Sequence, residues 1–368
     1  MKERGRNVLP MIGYIILLMI LLGGFSLAKS RNERKTLDQN YNKDTNQEEK
    51  PPVGLSNKGG ILNGYTVDES GELSTEGIDK ITIETVSSEL SIYCSDTNKL
   101  SAKYYGSVQS INNDSSPYLE VIREGNEAIV RIKYPVWYNV SLSEKTKLDV
   151  TIPANWEDDL KIRNTSSSIS AEELKGDDIS IVTISGSITA DKLTGKDIEV
   201  KSTSGAIAID QVIASAKFVG STISGAYTVN VIESKKFDFN STSGTIHVSD
   251  ASCDDVDASS ISGDIDITLK KGNADVETTS GRIKIKFLDG FGTIKASSIS
   301  GKVLTSIPEN SQFEADISTI SGTIKCSDFS MKVNSSKNKE LKGTVGNGDS
   351  RIDINTASGS IEIVNSFS

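Results

Sequence analysis

Thr183-Ile184-Ser185-Gly186-Ser187-Ile188-Thr189-Ala190 is answered one period later by Ser202-Thr203-Ser204-Gly205-Ala206-Ile207-Ala208-Ile209, and the pattern keeps returning. The Ser-Gly pair recurs at Gly186, Gly205, Gly225, Gly244, Gly263, Gly281, Gly301 and Gly322, at intervals of 18 to 21 residues, and once more at Gly359. A fixed period near twenty marks a chain wound into stacked coils. Two residues after each glycine comes Ile188, Ile207, Tyr227, Ile246, Ile265, Ile283, Val303 or Ile324, with polar residues alternating around it. Seven before comes Ile179, Ile198, Phe218, Phe237, Val256, Ala274, Ile294 or Ala315. Alternation with period two describes half-buried strands, here one on each side of a Ser-Gly corner. A single coil cannot bury its apolar row, whereas stacked coils share one core. The sequence therefore predicts an all-β chain, a single parallel β-solenoid with coils of about 19–20 residues.

The corners have their own chemistry. Glycine there is expected to supply positive φ for a sharp bend. The serine before it is present in all eight regular repeats, and Ser or Thr stands three before it, as Thr183, Ser202, Thr222, Ser241, Ser260, Thr278, Ser298 and Thr319. These read as polar ladders bonding to each other or to the corner backbone. Eight equivalent serines argue against one of them being a nucleophile. A second turn, as at Lys175-Gly176-Asp177 and Thr194-Gly195-Lys196, is expected to close each coil. Two before the glycine, Ile and Thr alternate: Ile184, Thr203, Ile223, Thr242, Ile261, Thr279, Ile299, then Ile320. Duplication of a two-coil unit accounts for this, and so does a striped outer face that recognises something periodic.

The flanks differ from the repeats. Val8 to Ala28 carries no charge. As a helix it would be about 31 Å long, enough to cross a bilayer. Residues 1–28 read as an N-terminal membrane anchor, with a signal peptide cleaved after Ala28 as the alternative. Residues 29–60 are polar and read as a disordered tether. Residues 61–165 show strand alternation without the glycine clock and read as an N-terminal cap with irregular first coils. Ser88 in this segment, and Ser167 just after it, stand where a corner glycine is expected. Residues 166–368 form the regular solenoid, with an irregular excursion at about 327–345, after which Arg351 to Ile354 and Ser360 to Ile363 are expected to close the stack.

The chain carries a formal charge of −10; its first 50 residues hold nine basic and six acidic residues, so the remainder stands at −13. An acidic body is a poor ligand for nucleic acid. Three cysteines are too few for a disulfide scaffold: Cys94 and Cys326 fall in phase with inward rows, Cys253 at a second turn. The single histidine, His247, has outward parity, and a Ser-His-Asp set or a histidine metal site would rest on it alone. Calcium at Asp254, Asp255 and Asp257 is a minor alternative. No cofactor, metal site or catalytic set is assigned, and the chain reads as non-enzymatic. Aromatics gather in the cap segment, and Tyr104, Tyr105, Trp137 and Tyr138 are the candidate ligand platform, through which a glycan would stack.

The entry strand Leu148-Asp149-Val150-Thr151-Ile152-Pro153, the iterated T-S-G-x-I and I-S-G-x-I corners, and the ending Gly346-Asn347-Gly348-Asp349-Ser350-Arg351-Ile352 with Thr356-Ala357-Ser358-Gly359-Ser360-Ile361 resemble a bacterial family of β-strand-repeat proteins known as "putative adhesins". The resemblance spans roughly residues 75 to 368 and departs from the pattern at Ser88, at Ser167 and between Gly322 and Gly359. It implies a surface location at the bacterial cell membrane, a C-terminal domain outside the cytoplasm and a non-enzymatic role. Some relatives are envelope-stress proteins, and the family transfers no catalytic residue. The function expected is a membrane-anchored adhesion or interaction scaffold with an envelope protein or glycan as partner. A carbohydrate-binding or carbohydrate-active protein and a mechanical spacer are the alternatives.

Overall fold

A computed structural model describes residues 63–110, 117–134, 143–337 and 339–365. The anchor expected at 8–28 and the tether at 29–60 lie outside these residues. Among the described residues all regular structure is β-strand, 26 strands with no helix. The apolar phase of the sequence becomes the core directly. Ile188, Ile207, Tyr227, Ile246, Ile265 and Ile283 stack in parallel register from coil to coil, each at most 1% exposed. Ile179, Ile198, Phe218, Phe237 and Val256 form the matching row on the wall before the corner. Both rows belong to one continuous hydrophobic core.

The expected second turn is not uniform. Ile188–Ser202, Ile207–Thr222 and Tyr227–Ser241 run as single strands through that corner, and the register slips there, between Gly195 and Asp197 and between Ala214 and Lys217. A bulge bends a strand without ending it. In the same region Gly220 occupies an inward position where a Cβ would meet the Phe239 ring at 2.3 Å. The missing side chain makes room for an aromatic cluster. Tyr227 and Phe239 meet edge to face with centroids 4.1 Å apart, and Phe237 and Phe239 do so at 4.7 Å, the geometry ring quadrupoles favour.

The ends depart from chain order. Lys80–Thr85 lies between Glu127–Lys133 and Asp159–Asn164, parallel to both. Glu89–Ser95 lies likewise between Ser143–Pro153 and Ile169–Lys175. At the far end Ser350–Thr356 inserts between Thr293–Ser298 and Phe313–Thr319, and Ile361–Asn365 between Val303–Ile307 and Ile324–Lys325. The expectation that residues 351–363 close the stack is therefore corrected: they form its penultimate coil, and 313–325 form the last. Outside these coils the pairing turns antiparallel. Asn63–Ser74 pairs with Lys99–Ser110, which pairs with Ser143–Pro153, and Tyr118–Glu124 pairs with Glu127–Lys133. At the other end the hairpin of Lys332–Lys337 and Glu340–Val345 adds to Phe313–Thr319. Phe329 packs edge-on against Phe313, centroids 5.5 Å apart, under that hairpin. Such caps cover core and strand edges that an open solenoid end would expose.

Candidate functional site

The corner glycines are not where positive φ occurs. Left-handed glycines are Gly77, Gly106, Gly125, Gly272, Gly290, Gly346 and Gly348, none of them a Ser-Gly corner. The expected reason for glycine is corrected by the stacking. A Cβ on Gly205 would lie 1.7 Å from the carbonyl oxygen of Gly186, and on Gly225, Gly244, Gly263, Gly281 and Gly301 between 1.7 and 2.0 Å from that of the glycine one coil earlier. Gly322 stacks on Gly359 and Gly359 on Gly301 in the same way. The corner needs glycine because successive backbones approach too closely for a side chain. At Ser167 a side chain is present, and its hydroxyl donates to the carbonyl of Ser87. Ser88 faces Glu144 and Thr146 of the coil before it, where no corner glycine stands.

The Ser or Thr three before the glycine works mostly within its own coil. Its hydroxyl accepts the glycine N–H in Thr183–Gly186 at 3.1 Å, Ser202–Gly205 at 2.8 Å and Thr222–Gly225 at 3.0 Å, with the same bond in four later coils. These hydroxyls are buried, so they satisfy a donor that would otherwise cost about 1–3 kcal/mol. Only Thr319 and Thr356 bond across coils, at 2.9 Å.

Each corner serine donates its backbone N–H to a carbonyl at the corner of the coil before it in the stack. The spatial order of the residues two before the corner is thus Val86, Thr165, Ile184, Thr203, Ile223, Thr242, Ile261, Thr279, Ile299, Ala357, Ile320. In chain order the alternation breaks at Ile299 and Ile320; in space Ala357 falls between them. Large aliphatics therefore occupy every second coil along the whole ridge. The alternation follows spatial neighbours, which a chain duplication alone would not preserve. Val86, Ile184, Ile299 and Ile320 are 42%, 39%, 48% and 78% exposed, four of the seven exposed large hydrophobics among the described residues.

Of the expected aromatic platform, only Tyr104 and Tyr105 lie among the described residues. Tyr104 is fully buried, because neighbours on a strand point to opposite faces, and Tyr105 lies on the outer side, bonded to Asp149 at 3.1 Å with Lys103 over its ring. Trp137 and Tyr138 lie outside the described residues. What the sequence did not single out is Glu144. Its carboxylate accepts the phenols of Tyr104 at 3.0 Å and Tyr134 at 3.2 Å and the hydroxyl of Ser88 at 3.1 Å, and Thr146 adds a further donor. Burial and the adjacent carboxylate hold the Tyr104 phenol above its ordinary range. This network ties four segments of the cap together; no motif announces it, because its members are scattered over residues 88–146.

His247 sits half-exposed on the outer face. Ser249 Oγ is 3.2 Å from its Nε2, and Asp266 Oδ2 is 3.9 Å from its Nδ1. The residue types are those of a triad, but 3.9 Å is too long for a hydrogen bond, and Asp266 is engaged by Lys284 at 3.1 Å. The three cysteines are free. Cys253, expected at a turn, is buried, and loss of hydration, then Asp254 and Asp255, pushes its thiol up to about 12. Cys326 is half-buried, its thiol raised to about 11 by burial and Asp328. Cys94 donates to the Glu173 carbonyl at 2.7 Å. Protonated thiols of this kind are poor nucleophiles. Asp254, Asp255 and Asp257 do not converge, and no group of three potential metal ligands is found among the described residues.

Comparison with known proteins follows the repeat. Among curated proteins none matches. A solved structure of a "putative adhesin" from Parabacteroides distasonis shares 13% identity over 81% of this chain and 97% of that one, with a TM-score of 0.41. One from Bacteroides fragilis, also named a "putative adhesin", shares 14% over 81% and 97%, TM-score 0.38. A "putative lipid binding protein" from Parabacteroides distasonis shares 15% over 80% and 96%, TM-score 0.36. The family model described as Toastrack DUF4097 matches residues 78–220 and again 212–364, so the chain belongs to that family, with two copies of its unit in one uninterrupted stack.

Proposed function

We propose that this protein is a membrane-anchored, extracytoplasmic scaffold of the bacterial envelope that acts by adhesion or interaction rather than by catalysis, in the setting of envelope stress. The observation that carries this reading is the ridge. Exposed aliphatics on a soluble surface are normally scattered, and their alignment marks a contact surface. Here the exposed Ile184, Ile299 and Ile320 stand in one line with Ile223 and Ile261, alternating with Thr203, Thr242, Thr279 and Ala357. The uncharged stretch Val8 to Ala28 supports anchoring, and the polar residues 29–60 supply reach.

Two measurements test it. Protease shaving of intact cells should release peptides from 61–365 and leave Val8 to Ala28 with the membrane; protection until lysis would remove the surface location. Cells carrying the Ile184→Ser, Ile299→Ser, Ile320→Ser triple variant should clump and attach less than wild type, with the purified variant unfolding at the same temperature. Equal attachment with equal surface display would remove the ridge as the contact surface.

A further inference from the structure

The outward face of the wall before the corner holds a trough that the adhesion reading does not use. Successive coils place Lys236, Asp255, Asn273, Thr293 and Arg351 in one row. Short side chains in the middle and long ones at both ends leave a depression of about 610 Å³, within the range of small-ligand sites. The neighbouring row runs Asp238, Asp257, Asp275, Lys295, Asp353. Most of its charges are already matched. Lys236 is 3.4 Å from Asp238, Lys295 is 3.8 Å from Asp275, and Asn273 donates to Asp255 at 3.0 Å.

Two charges remain. Among the described residues Asp257 has no cation and Arg351 no anion within 4.0 Å. Arg351 also separates this trough from a smaller one lined by Glu314, Asp316 and Lys342. Asp257 and Arg351 stand three coils apart, about 14 Å at ~4.8 Å per strand. A four-residue extended peptide spans about 13 Å at ~3.3 Å per residue.

We infer that this trough binds a short dipolar peptide of uncharged residues, its ammonium end on Asp257 and its carboxylate end on Arg351. A carboxylate suits the planar guanidinium fork. The Asp257 carboxyl is held above its ordinary range by partial loss of hydration and then by Asp238 and Asp275, strain that an incoming ammonium relieves. The inference stands on a different face from the ridge and does not depend on the adhesion reading.

Calorimetric titration of the full chain with tetra-alanine at low salt tests it. The free peptide should bind, and acetylating its amine, amidating its carboxylate, Asp257→Asn or Arg351→Gln should each weaken binding about tenfold or more. Arg351→Lys should restore part of the loss. Both side chains are at the surface, so unchanged unfolding temperatures check that the variants fold. No heat with millimolar tetra-alanine, equal binding of the doubly capped peptide, or equal binding after either single capping overturns the proposal.

Discussion

At the residue scale, one substitution separates two uses of glycine. Gly244 has ordinary φ and a neighbouring carbonyl where its Cβ would go, at 1.9 Å; Gly125 has φ of 66° and open space around it. Gly244→Ala must push two coils apart and is expected to cost about 2–4 kcal/mol, whereas Gly125→Ala pays only the left-handed backbone, about 1–2 kcal/mol. Urea unfolding of the two variants measures the difference, and equal losses would contradict the stacking account. A second residue gives a pH signature. Thr82 donates to Glu127 and, with Lys80 at 3.1 Å, holds its carboxyl below the ordinary value of 4.5. A depressed folded-state carboxyl stabilises the protein above the unfolded carboxylate range and loses that contribution as pH falls through its folded value. The unfolding temperature of wild type should therefore exceed that of Glu127→Gln at neutral pH, with the gap closing as pH drops below 4.5. A gap that widens on acidification would refute the assignment.

At the scale of elements, the order of the coils matters more than their number. In a solenoid wound in chain order, removing the last residues peels off the last coil. Here Ser350–Thr356 is sandwiched between Thr293–Ser298 and Phe313–Thr319, so truncation after Asp349 takes out the penultimate coil and leaves 313–345 without its main partner. Limited proteolysis of that truncation is expected to cut throughout 308–349 while the preceding coils stay protected. Cleavage confined to the new terminus would contradict the inserted topology. The insertion was hidden from the sequence because Gly322 and Gly359 both carry the same corner signature. A repeat announces that a coil exists; which neighbour it pairs with is decided by which exposed edge it finds.

For the whole molecule, stacking makes stability nearly a sum of neighbour terms. Deleting residues 245–281 joins Gly244 to Arg282, removes two coils and keeps the ridge in phase, with Thr242 beside Ile299. The shortened chain is expected to keep its strand signature in circular dichroism and to unfold cooperatively at lower temperature. It should also keep attachment through the ridge while losing tetra-alanine binding, because Asp255, Asp257, Asn273 and Asp275 are gone. Loss of both activities in a folded protein would show that the ridge and the trough are not separate surfaces.

Periodicity alone determined the all-β coil, its inward rows and the place of the Ser-Gly corners, because apolar alternation and the glycine spacing are local properties that each coil states for itself. Ile188, Ile207 and Ile246 are buried where their phase put them. The partnership of coils, the reason for the corner glycines, the burial of Tyr104, the Glu144 network and the unmatched pair Asp257 and Arg351 were decided only in three dimensions. Each of these depends on what stands about 4.8 Å away on the neighbouring strand, and at both ends of the described stack that neighbour is not the next coil in sequence.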